Sequence, residues 1–259
     1  MINKTNSFSN RLLTPSSFAK MLCVALSLLL IVCFIVFKGS KQSPSPKGRS
    51  ASDVETTENS TESNNVLRAV EGSTNVSLTD REQALYRACK TYTDAVEGKN
   101  DVAKLTMACE YVAEMSTYVL DETAETRSAY SALVLGKSVC SGYAKAVQLL
   151  LASAGVKSEV IVGFVESENA SHAWLICYLD LDEDGILETY HCDPTWCDTD
   201  VEGEQLDVTY MIMSDSEAME TRSWDYDSYP ICETGVEYGT DVWEYAAEMD
   251  NAIMFTRMV

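Results

Sequence analysis

Residues 172–193 read HAWLICYLDLDEDGILETYHCD. The first eight and the last eight positions are of strand length and rich in apolar and aromatic side chains. Between them lies an acidic run that ends in Asp184-Gly185, a hairpin signal. Two antiparallel strands are therefore expected. If the chain folds back symmetrically about positions 182 and 183, His172 lies directly opposite Asp193, and such pairs place their Cβ atoms roughly 4.5–5.5 Å apart on one face. An imidazole and a carboxylate then come within hydrogen-bonding reach through strand geometry alone, while a slip of one residue sends them to opposite faces. His191 shares the face of Asp193 and lies opposite Trp174 in this register. It is a supporting residue, a substitute base or a packing residue. These are the chain's only two histidines.

Upstream, residues 159–165 (EVIVGFV) supply a further strand. Before it the period is helical. Thr79 and Glu82 have capping-box spacing and open an apolar stretch with Ala84, Leu85, Ala88 and Cys89. A second helical run is expected from about Asp101 to Leu120. A third covers 140–154, with Tyr143, Ala144, Val147, Leu150 and Leu151 on one face and Gly155 as its stop. Helices first and strands later predict an α+β domain.

Cys140 opens the third helix, where unpaired backbone N–H groups and the helix dipole favour negative charge. Thiolate is the nucleophilic form of cysteine, and such a position promotes it. A histidine oriented by a carboxylate can take the thiol proton and return it to a leaving amine. Cys140, His172 and Asp193 are thus candidate nucleophile, base and orienter. A buried structural cysteine, a sheet imidazole and a turn-starting aspartate before Pro194 are the bland readings of the same residues.

Three segments also carry a family resemblance. Gly136-Lys-Ser-Val-Cys140-Ser-Gly-Tyr-Ala144 resembles the nucleophile segment of the transglutaminase-like superfamily. Ser171-His172-Ala173-Trp174 resembles its histidine strand, and Tyr190-His-Cys-Asp193-Pro-Thr-Trp196 its aspartate strand. The order agrees, with 32 residues from cysteine to histidine and 21 from histidine to aspartate. The resemblance covers residues 100–200, with a weaker echo through 210–230. It implies a papain-like fold in which the helix carrying cysteine packs on an antiparallel sheet. It also implies attack on a carboxamide or peptide carbonyl of a peptide or protein substrate, and a thioester resolved by water or an amine. The backbone N–H of Cys140 is the expected oxyanion donor; Tyr130 is a candidate for the second. No metal or organic cofactor is needed for this chemistry. A catalytically silent binding module of the same family is the alternative.

Other groupings are weaker. Asp180-x-Asp182-x-Asp184-Gly185 opens like a calcium loop, but its twelfth position is His191 where a bidentate glutamate belongs. His191, Cys177, Cys192 and Cys197 could be gathered for zinc, though at none of the common spacings. The nine cysteines contain no CxxC pair, and two lie in an apolar N-terminal segment, so the odd seven predict at least one free thiol. Cys192 and Cys197 are a possible disulfide in an extracellular domain.

The 259 residues hold 19 Lys+Arg against 40 Asp+Glu, for a formal net charge of −21. Seven of the basic residues, and no acidic one, fall in residues 1–50, so the remaining 209 carry 12 basic against 40 acidic groups. A body this acidic repels phosphate backbones, which excludes nucleic acid as a partner. Residues 21–37 (MLCVALSLLLIVCFIVF), between Lys20 and Lys38, are long enough to cross most of a ~30 Å hydrocarbon layer. They read as a retained signal anchor, with a cleaved signal peptide as the alternative. The basic flanks nearly balance, and the anchor's form implies an extracytoplasmic body. The expected organisation is a basic segment and anchor over 1–38, a disordered Ser/Thr/Asn/Glu-rich linker over 39–77, and a catalytic domain over 78–259.

Overall fold

The computed structural model describes residues 51–181, 184–199 and 206–235, all within one compact unit, Arg49–Val259. Three helices come first: α1 (Ala51–Val70), α2 (Asp80–Ala95) and α3 (Asp101–Met115). The capping box of α2 forms: Thr79 Oγ1 accepts the Glu82 N–H, and the Glu82 carboxylate accepts the Thr79 N–H. Helix α3, capped by Asn100, ends at Met115 instead of continuing to Leu120. Residues Thr117–Tyr118 turn extended as β1 and pair in parallel with β2 (Lys137–Ser138). The Thr-Tyr-Val run after Ser116 favours a pleated backbone, and β2 offers it a partner.

The linker expected over 39–77 is corrected in part. Residues 51–70 are helical, and Val66 is fully buried. Glu62 accepts from Arg81 Nε at 2.7 Å, and Asn65 Nδ2 donates to Glu82 at 2.7 Å. Glu62, Asn65 and Val66 stand at i, i+3 and i+4, one helix face. Composition counted this stretch as polar; its polar groups have partners on α2. The packed unit therefore begins upstream of Leu78. The anchor expected over 21–37 lies outside the described residues. Among those described, no helix is long and apolar enough to cross a membrane.

A π-helical turn (Ser131–Leu135) and a left-handed Gly136 lead through β2 into α4 (Cys140–Ser153), which ends at Gly155 with φ 80°. The sheet follows: β3 (Ser158–Val165), β4 (Ala170–Leu179), β5 (Glu188–Cys192) and β6 (Arg222–Ser223), in the order β5-β4-β3-β6 and antiparallel throughout. The expected α+β architecture is what forms. Leu175, Cys177 and Leu179 face the helical core with Tyr143, Val147 and Leu150 of α4. The alternate residues Trp174 and Ile176 pack on the other face with Ile161 and Trp224.

The hairpin register differs from the symmetric one by two residues. Leu175 pairs with Cys192, Ile176 with His191 and Leu179 with Glu188. Asp193 therefore follows the end of β5 at the level of Trp174, and His191 is not opposite Trp174. The cause lies in the acidic loop. Asp180 Oδ2 accepts the Gly185 N–H at 2.9 Å and Asp184 Oδ1 the Ile186 N–H at 2.7 Å, which takes residues 185 and 186 out of the ladder. A slip of two keeps every side chain on its face. Asp193 and His172 thus still share one.

Candidate active site

Cys140 is the first residue of α4, after an extended Val139 whose side chain offers no cap. The start of the helix is pressed against residues 126–128. Ser138 Oγ and the Val139 N–H both bond to the Thr126 carbonyl, at 2.9 and 3.0 Å. A Cβ at Gly142 would stand 2.7 Å from that carbonyl oxygen and 1.8 Å from Ser138 Oγ. Only glycine fits there, which is why the motif reads Cys-Ser-Gly. Cys140 is 9% exposed, while the other six described cysteines are 0–1% exposed, and all seven are free thiols. The alternative Cys192–Cys197 disulfide is absent.

His172, on β4, is 5% exposed, and its Nε2 lies 2.7 Å from Asp193 Oδ2. The Cys140 side chain lies near the same ring and acts on it. With Nε2 engaged by Asp193, the thiol side belongs to Nδ1. Burial opposes the imidazolium, but the charge and hydrogen bond of Asp193, helped by Cys140, push His172 up to about 10. Asp193, fully buried, caps the single turn α5 (Pro194–Cys197), where Pro194 needs no N–H partner. Its Oδ1 accepts the Trp196 N–H at 3.2 Å, and its own N–H donates to the Tyr210 carbonyl at 2.7 Å. Burial pushes its carboxyl up, yet His172 first and Arg222 next hold it below the usual carboxylate value. The structure thus gathers Cys140, His172 and Asp193 from a helix start, a strand and a cap.

Two further side chains at this place were not singled out by sequence. Arg222 on β6 donates from Nη1 to Asp193 Oδ2 at 2.5 Å, the oxygen that His172 also meets. Its guanidinium packs 4.4 Å from the Trp196 ring and 5.3 Å from that of Trp174. A signal existed: Arg222 is the single Lys or Arg in residues 158–256. Tyr118, 37% exposed, pairs with Ser138 through β1–β2. Its phenol is raised by burial and then by the nearby Cys140. Tyr130 has its ring 3.8 Å beneath the Arg81 guanidinium.

His191 belongs to another network. Trp174 Nε1 donates to its Nδ1 at 3.0 Å, and its Nε2 lies 2.8 Å from Asp215 Oδ1. Cys232 brings a third potential metal ligand, the three atoms lying within 4.8 Å of one another. They do not suit a metal. The indole N–H obliges Nδ1 to be the acceptor, so the ring proton sits on Nε2, the atom that would have to coordinate. Burial pulls the His191 pKa down despite Asp215. The zinc grouping considered from sequence is split: Cys177, Cys192 and Cys197 lie in the helical core, with Cys192 Sγ 3.8 Å from Cys109 Sγ. In the acidic loop, Asp180 and Asp184 spend oxygens on backbone N–H groups, and Asp182 lies outside the described residues.

Known structures and sequences offer these likenesses. A candidate cysteine protease from Cytophaga hutchinsonii superposes with a TM-score of 0.37 at 14% identity, covering 49% of this chain and 40% of that one. A transglutaminase, described as a TGase, gives 0.38 at 15% identity over 60% and 41%. EGTA-treated LapG of Legionella pneumophila gives 0.40 at 13% identity over 74% and 97%. The chain thus spans about two fifths of the length of the first two. No curated protein matches it. Residues 90–200, which hold Cys140, His172 and Asp193, match the sequence model of the transglutaminase-like superfamily.

Proposed function

We propose that this protein is a cysteine enzyme that cleaves, or transfers across, amide bonds of peptides or proteins. The observation that carries the reading is the 2.7 Å contact of His172 Nε2 with Asp193 Oδ2, made while the same ring meets the Cys140 side chain. Cys140 is the nucleophile, His172 the base and acid, and Asp193 the orienter. The thiolate adds to the carboxamide carbon, and the negative oxygen that forms is met by the backbone N–H of Cys140, free at the first turn of α4. His172 imidazolium then protonates the leaving amine as the C–N bond breaks, leaving a thioester. Neutral His172 next takes a proton from water or an acceptor amine, whose attack releases the acyl group and restores the thiol. No step calls for a cofactor.

The order of a short basic head, the apolar run over 21–37 and a long body after it supports a tethered enzyme whose body faces outward. Alkylation tests the site: iodoacetamide labels Cys140 ahead of the other cysteines, and His172→Ala slows that labelling near neutral pH about a hundredfold. Equal labelling in the two proteins overturns the assignment of the base. Acyl adducts on Cys140, weighed after incubation with cell-envelope extract, identify the substrate class.

A further inference from the structure

We propose that Arg222 is a positioning residue for the Cys140–His172 pair, acting through Asp193. This rests on the reading of the site given above. Asp193 Oδ2 is shared between His172 Nε2 and Arg222 Nη1, so neither carboxylate rotation nor proton uptake is free. The guanidinium lies on the face of Trp196, Nε donates to Thr221 Oγ1 at 3.2 Å, and Nη2 is buried without an acceptor among the described residues. A cation placed merely to stabilise the fold would be expected to have its donors met, because an unmet buried donor is costly. Among the described residues its one ionic partner is the site carboxylate.

Charge balance explains the arrangement. With Cys140 as thiolate and His172 as imidazolium, the set formed with Asp193 and Arg222 is neutral. Without Arg222 it carries a net negative charge in a site where three of the four residues are at most 5% exposed. Removing the cation therefore disfavours the thiolate. The backbone is shaped to bring the cation here. Arg222 pairs with Val165 across β3–β6, and a Cβ at Gly163 would stand 2.2 Å from the Ser223 carbonyl and 2.6 Å from the Trp174 ring. Glycine lets the short strand β6 lie close.

The other titratable groups around this set are Tyr118 on β1 beside Cys140, and Tyr210, Cys197 and Cys109 about Asp193. Glu122 and Glu168 act on Tyr118 from nearby loops. All are common to wild type and variant, so the difference isolates Arg222. The test is the rate of Cys140 alkylation by iodoacetamide against pH in the full-length chain. Arg222→Met, which keeps an apolar stem against Trp196, moves the acid limb up by about one pH unit, the size expected for loss of one neighbouring charge. Arg222→Lys returns the limb toward wild type. Should Arg222→Met fail to melt cooperatively, the neutral donor of Arg222→Gln is read in the same way. An unmoved limb with a lower plateau in the neutral variants overturns the proposal, as does a lysine variant that behaves like them. Equal labelling of Cys140 in wild type and His172→Ala overturns the reading of the site itself, and Arg222's role with it.

Discussion

The indole N–H of Trp174 points at Nδ1 of His191 from 3.0 Å, and this one bond separates the tasks of the chain's two histidines. The proton of His191 is held on Nε2, toward Asp215, and the ring has no nitrogen left for a thiol. His172 has its Nε2 on a carboxylate and its other side on Cys140. His191→Gln is expected to keep Cys140 alkylation within a few-fold of wild type while lowering stability by about 1–3 kcal/mol through unmet partners. Urea melts and alkylation rates read the two effects separately; loss of labelling in His191→Gln would return that residue to the list of bases.

The His172–Asp193 bond has a pH signature. The folded pKa of His172 is raised to about 10 from an ordinary 6.5, so its contribution is complete below about 6.5 and declines as pH climbs toward 10. Asp193 shifts the other way, and its contribution is present above its ordinary carboxylate value and fades as pH falls through the lowered one. The difference in melting temperature between wild type and His172→Gln should therefore shrink steadily from pH 6.5 to 10. A difference that grows over this range contradicts the assignment.

Gly142→Ala is expected to cost about 1–3 kcal/mol by overpacking. The new methyl meets the Thr126 carbonyl and Ser138 Oγ, so the first turn of α4 must move, and Cys140 with it. Slower alkylation of Cys140 together with a lower urea midpoint is the expected result. A melt unchanged from wild type would mean that the helix start has more room than its contacts imply.

The helix α1 has a measurable role as well. Burial of Val66 is worth about 1.5–3 kcal/mol, with the polar ties of Glu62 and Asn65 in addition. A chain starting at Leu78 should unfold at lower urea than one starting at Arg49, and Val66→Ala should reproduce part of the loss. Equal midpoints would restore the whole of 39–77 to the status of a linker.

Much of the architecture was legible because it depends on local rules. The capping box at Thr79, the helix over 140–154 and the alternation in 172–179 each follow from neighbours a few residues apart. The candidate trio was legible for a different reason: a period of two makes the side of a strand robust to a slip of two, so the wrong register still paired the right face. What misled was composition. Glu62 and Asn65 counted as solvated groups until α2 supplied their partners.

By itself the sequence determined an α+β domain, an acidic body, the order of cysteine, histidine and aspartate, and the face on which two of them meet. Helical and strand periodicity and net charge are properties of neighbouring residues and of sums, so no coordinates are needed to read them. Only the tertiary structure decided which histidine faces the thiol, that residues 51–70 join the core, and that Arg222 lies against Asp193. Those outcomes depend on groups 17 to 32 residues apart along the chain meeting in a buried space, where pairing energies depend on distance in three dimensions and local pattern carries no record of it.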